Sequence, residues 1–291
     1  MAANILINGA ITAGIYALLA LGFSLIFGVA KIINLAHTAF YMLAAYFIFT
    51  FAHLLGLSAP LSAIISIIIT TAIGIGTYKL VIERIREHET TVLLITIALA
   101  IVFQECMLLA FSSSYLHAPS FISGYVELLG VSVTIQHILT FGVVLVCLLG
   151  VWMLLSKTKL GIAIRAVAQD REAANLVGIN VSTICLITMA IAVALAAIAG
   201  AMVAPIWTIY PFMWMHPLIM VLAVVVLGGL GSLKGSFVAA FILGYTVTLV
   251  VFLFPEFAFI KEAIALFIMV VVLLIRPEGF FVVAFEEVRL F

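Results

Sequence analysis

IQHILTFGVVLVCLLGVWMLL, Ile135 to Leu155, is a run of 21 residues without a single Asp, Glu, Lys or Arg, and the stretch that follows it, Ser156 to Ser182, is the most polar loop of the chain. At about 1.5 Å per residue a helix of that length covers about 30 Å, the hydrocarbon thickness of a bilayer. The rest of the chain repeats the pattern. Of 291 residues 67% are hydrophobic and 8% charged, where a soluble domain carries about 25% charged residues. So little polar surface cannot cover a globule in water, and the chain reads as an integral membrane protein. Twelve basic and twelve acidic residues leave a net charge of zero. No basic surface of the kind nucleic acid requires is available.

Apolar runs between breaks mark nine segments: Ile5–Val29, Thr38–Leu54, Ala59–Ile82, Thr91–Phe111, Ile135–Leu155, Thr183–Ala204, Leu218–Leu233, Gly235–Phe254 and Phe257–Ile275. Continuous runs without β-type alternation specify helices. Thr38–Leu54 and Leu218–Leu233 are short for a full crossing. The expected fold is therefore an all-α polytopic bundle of eight or nine transmembrane helices with one or two broken or half-spanning segments, all of residues 1–291 forming one domain. Met1–Asn4 lacks a positive n-region and the run after it is about twice a signal peptide's apolar core, so this segment should stay in the membrane. If nine segments cross in turn from an outside N-terminus, eleven bases collect on the inner side and Lys261 alone remains outside. That split obeys the positive-inside rule and puts the C-terminus in the cytoplasm, in a multi-pass protein of the inner (cytoplasmic) membrane.

Ala192, Ala196, Gly200 and Ala204 recur every fourth residue, a row of small side chains that lets another helix approach closely and makes this helix central. Cys106, Cys147 and Cys185 lie in apolar runs without metal-ligand spacing and read as small buried hydrophobes. Trp207, Tyr210 and Trp214 suit an outer aromatic belt, and His137 and His216 sit close to segment ends. Within loop 156–182, Leu160, Ala163, Ile164, Val167 and Ala174 fall on one helical face, while Arg165, Gln169, Asp170 and Glu172 take the other. Asp170 as N-cap and Gly178 as the residue past the C-terminus bound a two-turn helix over Arg171–Val177. Such a knob is either a docking element or a solvated connector.

Four motifs carry a resemblance. Glu172-Ala173-Ala174 followed by Gly178 resembles the EAA…G loop of ABC importer permeases, whose short cytoplasmic helix docks on an ATPase. Ile33-Asn34-Leu35-Ala36-His37 with Phe40-Tyr41-Met42-Leu43 is similar to the INLAHG-x-FYMLGAY stretch of the LivH branch of branched-chain amino-acid permeases. Val226-Leu227-Gly228-Gly229-Leu230-Gly231-Ser232 with Gly235 resembles that family's VLGGLGS-x-x-G element, and Arg276-Pro277-Glu278-Gly279 its closing RPxG. Thr38, Ala39, Ala98, Ala100 and Met220 depart from the family pattern. The resemblance implies a permease subunit that carries amino acids of branched-chain type, or similar small polar solutes. Its partners would be a second, LivM-like permease subunit, two ABC ATPases and an extracytoplasmic solute-binding protein. ATP and Mg would then be used by the ATPases, with no cofactor or metal held by this chain, and the coupling residues would be Asp170, Arg171, Glu172, Ala173, Ala174 and Gly178.

The residues themselves admit physical readings. Lys31–His37 interrupts two apolar runs, and non-helical backbone at membrane depth is tolerated only against protein or a water-filled cavity. Asn34 and His37 would there serve a polar substrate, the freed backbone, or the ends of two helices. Gly228, Gly229 and Gly231 permit either a break beside a substrate or tight helix packing. Thr96, Gln104 and Glu105 are polar positions inside Thr91–Phe111, and Glu105 should face the bundle interior or water, or snorkel to the surface. These eight residues form the expected substrate pathway. A stand-alone channel or ion-coupled carrier would need more ionisable groups in the membrane than Glu105 and His37. No P-loop, H-E-x-x-H, G-x-S-x-G or carboxylate pair is present, which leaves the chain without an ATPase site and without the constellation of a membrane enzyme.

Overall fold

The computed structural model describes residues 2–128, 131–277 and 279–281. Glu278 of the closing motif and Arg289 of the charge tally lie outside the described residues. The described chain is a helical bundle with elements α1 (Ala2–Ala30), α2 (His37–Phe49), α3 (Ala59–Thr77), α4 (Glu83–Ile85), α5 (Glu89–Phe111), β1 (Tyr125–Leu128), β2 (Val131–Thr134), α6 (Ile135–Lys157), α7 (Lys159–Gln169), α8 (Arg171–Leu176), α9 (Val181–Val203), α10 (Met215–Gly228), α11 (Leu233–Leu253) and α12 (Lys261–Ile275). Wide π-type turns extend α2 to Leu54 and α3 to Ile82, and a 3₁₀ stretch, Pro255–Ile260, leads into α12. Among the described residues, eight helices have the length and apolarity to cross a membrane. The ninth, α10, has 14 residues and covers about 21 Å, so the short segment is this one. It starts three residues earlier than its apolar run suggests, because His216 and Pro217 occupy its first turn, where a proline needs no donor.

α9 is the central helix. It packs on α1, α2 and α3, and a Cβ at Gly200 would collide with the Tyr41 carbonyl on α2. Small residues thus bring backbones together, the main source of helix association in lipid. α1 lies along α11, and α11 along α10, which also touches α12. α5 and α6 sit outside this core and bury one stripe each: Val92, Thr96, Ala100 and Gln104 on α5, and Gln136, Thr140, Val144 and Leu148 along most of α6. Cys106 belongs to the outward face of α5 and is exposed, which corrects its reading as a buried hydrophobe; Cys185 is buried and Cys147 half-buried, and all three are free thiols.

The loops divide between two ends. At one end Arg171 reaches the last turn of α1, Ser182 bonds Glu83, and the backbone N–H groups of Phe280 and Phe281 donate to Leu227 and Gly228. At the other, Leu116 pairs with Ile209, Ala118 donates to Ala204, and His216 meets Glu262. Ten of the twelve bases lie at the first end, in or beside its loops: Lys31, Lys79, Arg84, Arg86, Lys157, Lys159, Arg165, Arg171, Lys234 and Arg276. Four helices starting there carry side-chain N-caps, from Thr158, Asp170, Asn180 and Ser232. The opposite end holds the antiparallel hairpin of β1 and β2, which pairs Tyr125 with Thr134. Its strands lie inside what the hydropathy pattern marks simply as a loop.

Candidate functional site

The knob forms as its capping residues direct. Asp170 Oδ1 accepts from the backbone N–H groups of Glu172 at 2.8 Å and Ala173 at 3.0 Å. At the far end Gly178 takes φ +87°, and the N–H groups of Gly178 and Ile179 return to the carbonyls of Asn175 and Ala174. That pair of bonds is a Schellman closure, which needs a left-handed residue and so favours glycine. The helix ends at Leu176, one residue short of the expected boundary, because Val177 already serves as the cap. Ala174 is buried against the bundle, whereas Glu172 is exposed. The amphipathic α7 holds the knob in place, burying Gly161, Ile164 and Val167.

Arg171 does what no motif announces. Its guanidinium donates through Nη2 at 2.9 Å and Nε at 3.3 Å to the carbonyl of Val29, in the last turn of α1. Helix carbonyls there have no partner within the helix, and a cation at the C-terminus also favours the macrodipole. Ser182 on α9 adds a second tie by donating to Glu83. The knob is therefore fastened to the end of α1, where the chain breaks. Lys31 enters that break with φ +52°, a conformation that costs an L-residue energy. Burial, with the Arg171 guanidinium alongside, pulls the Lys31 ammonium down to about 8.

In the break, Asn34 and Thr96 serve the freed backbone, while His37, at the start of α2, ties it to the middle of α1. Asn34 Oδ1 accepts from Ala36 N, Thr96 Oγ1 accepts from Leu35 N, and His37 Nε2 donates to Leu19 O at 3.0 Å. All three side chains are buried. Asn34 also points its amide at the Met189 sulfur on α9, 3.7 Å away. The glycine element forms a second break beside the first. Gly229 and Gly231 adopt φ of +97° and +81°, and Gly231 packs on the backbone of Gly28. Gly228 packs on Gly235 so closely that a Cβ at either position would strike the other's backbone. Ser24 and Ser236 share a hydrogen bond of 2.5 Å just beyond, joining α1 to α11.

The polar pair on α5 stands apart from both breaks. Gln104 is buried, donates from Nε2 to Glu105 and accepts at Oε1 from the Trp214 indole, 2.9 Å away. Glu105 is on the exposed face. Trp214 is 2% exposed, so it is a core residue that clasps α5 and not a member of an interfacial belt. The expected pathway residues thus occupy three places: one cluster in the first break, the glycines in the second, and the α5 pair further along.

The family model for the branched-chain amino acid transport system permease component matches residues 5–274. The chain belongs to this permease family. It is 31% identical to the high-affinity branched-chain amino acid transport system permease protein BraD of Pseudomonas aeruginosa, over 94% of each chain. The LivH permease protein of Escherichia coli K12 is 27% identical, covering 94% of this chain and 92% of that one. A probable LivH permease protein of Methanocaldococcus jannaschii is also 27% identical, over 95% and 91%. The structure of PsaBC from Streptococcus pneumoniae in complex with Fab contains a chain of similar fold, with a TM-score of 0.54 and 18% identity across 94% of this permease and 92% of that chain.

Proposed function

We propose that this permease carries branched-chain amino acids across the cytoplasmic membrane as one transmembrane subunit of an ABC importer. It would work with a related permease subunit, an external solute-binding protein, and two ATPases that consume the ATP and Mg. The observation that carries the reading is the knob. Its tip presents Leu176 and Val177, 88% and 76% exposed, on a polar loop at the basic end of the bundle. Two large aliphatic side chains displayed together in water suit a partner's apolar cleft. Beside them lies a groove of about 590 Å³ lined by Arg86, Glu172 and Asn175, which supplies polar contacts around that anchor. The basic end is cytoplasmic by the positive-inside rule, which sets the knob where ATPases work.

In this reading a closing motion of the ATPases pushes α8, Arg171 passes the displacement to the end of α1, and the two adjacent breaks absorb it. The bundle then exchanges between two states that ATP and solute bias differently. Leu176→Asp tests the proposal, since the side chain is exposed and its loss leaves the fold alone. In cells expressing the permease with its partners, the variant should reach normal membrane levels, lose co-purifying ATPase and lose leucine uptake. Normal ATPase recovery together with normal uptake would overturn the assignment.

A further inference from the structure

A cavity of about 700 Å³ opens at the end of the bundle opposite the basic loops, between α1, α2, α10, α11, α12 and residues 206–210. None of the eight expected pathway residues lines it. Tyr16 and Tyr41 do, and they are 5% and 1% exposed. Neither phenol has a hydrogen-bond partner among the described residues, and neither hydroxyl is sealed off as those of Tyr46 and Tyr78 are, so both are open to the cavity. Asn8 and Thr12 precede Tyr16 at four-residue spacing, so α1 turns one polar stripe into the same space. Across the cavity Glu262 Oε2 lies 2.6 Å from His216 Nδ1. Burial and the nearby Glu262 charge push the Tyr210 phenol up. Lys261 adds a cation beside Glu262, Thr208 and Thr248 add hydroxyls, and Met213, Val247 and Val251 form an aliphatic part of the wall. The volume lies within the about 300–1,000 Å³ usual for small-molecule sites.

We infer that this cavity is a binding site, within a single permease subunit, for a small zwitterion with an aliphatic tail. Glu262 accepts from the ammonium, the Tyr16 and Tyr41 hydroxyls donate to the carboxylate, and the tail lies on Met213, Val247 and Val251. The inference rests on the amino-acid reading above and adds a receiving site to it, set apart from the two backbone breaks.

The full chain in lipid nanodiscs, titrated with L-leucine, provides the test, with Trp207 on the cavity wall as a fluorescent reporter. Isopentylamine and 4-methylpentanoate each present one charged group alone. The double variant Tyr16→Phe, Tyr41→Phe should weaken leucine and the acid about tenfold and spare the amine. Glu262→Gln should weaken leucine and the amine by a similar factor and spare the acid, a reciprocal pattern that misfolding cannot produce. Unchanged leucine affinity in both variants would overturn the site. So would a phospholipid ammonium headgroup that co-purifies with wild type, is lost in Glu262→Gln, and leaves leucine unbound. Uptake in cells separates the two readings: leucine import with equal KM in wild type and both variants removes the site and leaves the permease assignment standing. A wild type that neither imports nor binds leucine removes both.

Discussion

Trp214 and Gln104 are joined by one hydrogen bond between an indole N–H and an amide oxygen, both buried. Trp214→Phe keeps most of the apolar volume but strands the Gln104 oxygen, which should cost about 1–3 kcal/mol. Thermal unfolding in detergent should show the loss, and Trp214→Phe combined with Gln104→Leu should recover part of it, because then neither partner is stranded. Lys31 offers a second measurement. Its ammonium titrates near 8 in the fold against 10.5 for a free lysine, because burial and Arg171 disfavour the charge. Between those values the unfolded chain holds a proton that the folded chain has released, so stability should rise with pH across that window. Lys31→Met should flatten this rise, and melting curves collected from about pH 7 to 11 would reveal it. Neither partner set was legible beforehand: a tryptophan near a segment end looks interfacial until the fold places a glutamine beside it.

Packing among helices depends on backbone proximity. A side chain at Gly200 would meet the Tyr41 carbonyl, so Gly200→Leu should push α9 off α2 and sharply reduce the monodisperse protein recovered after solubilisation. Gly178→Val acts differently. No neighbour within 4 Å opposes a Cβ there, but φ +87° does, and a β-branched residue pays most for that conformation. The expected outcome is an intact bundle with a misdirected α8: normal membrane abundance and strongly reduced uptake. The row Ala192, Ala196, Gly200, Ala204 and the caps Asp170 and Gly178 could be read from residue order because they act through local spacing. The stripe Asn8, Thr12, Tyr16 has equally regular spacing, yet it hides in a helix that is apolar all around, where three polar groups barely change the hydropathy. The hairpin of β1 and β2 was illegible because eight short-strand residues carry little pattern of their own.

In the bilayer, the bundle is an object with one basic and one nearly base-free end, and loop 156–182 belongs to the former. Single cysteines introduced at residue 176 or 177 in a cysteine-free background should be protected from impermeant thiol reagents in intact cells and labelled after permeabilisation. Labelling in intact cells would reverse the orientation and detach the knob from any ATP-driven partner. The spans were legible since length and apolarity suffice, and so was the gathering of bases at one end, while the linkage between knob and membrane was not, because the acceptor of Arg171 is a main-chain oxygen. That last detail has a genetic corollary. Every amino acid at position 29 supplies the same carbonyl, so no allele of Val29 can delete this half of the bond, and of its two ends only codon 171 can lose it by substitution. Revertants of such lesions must then arise elsewhere, by reshaping how the first helix terminates.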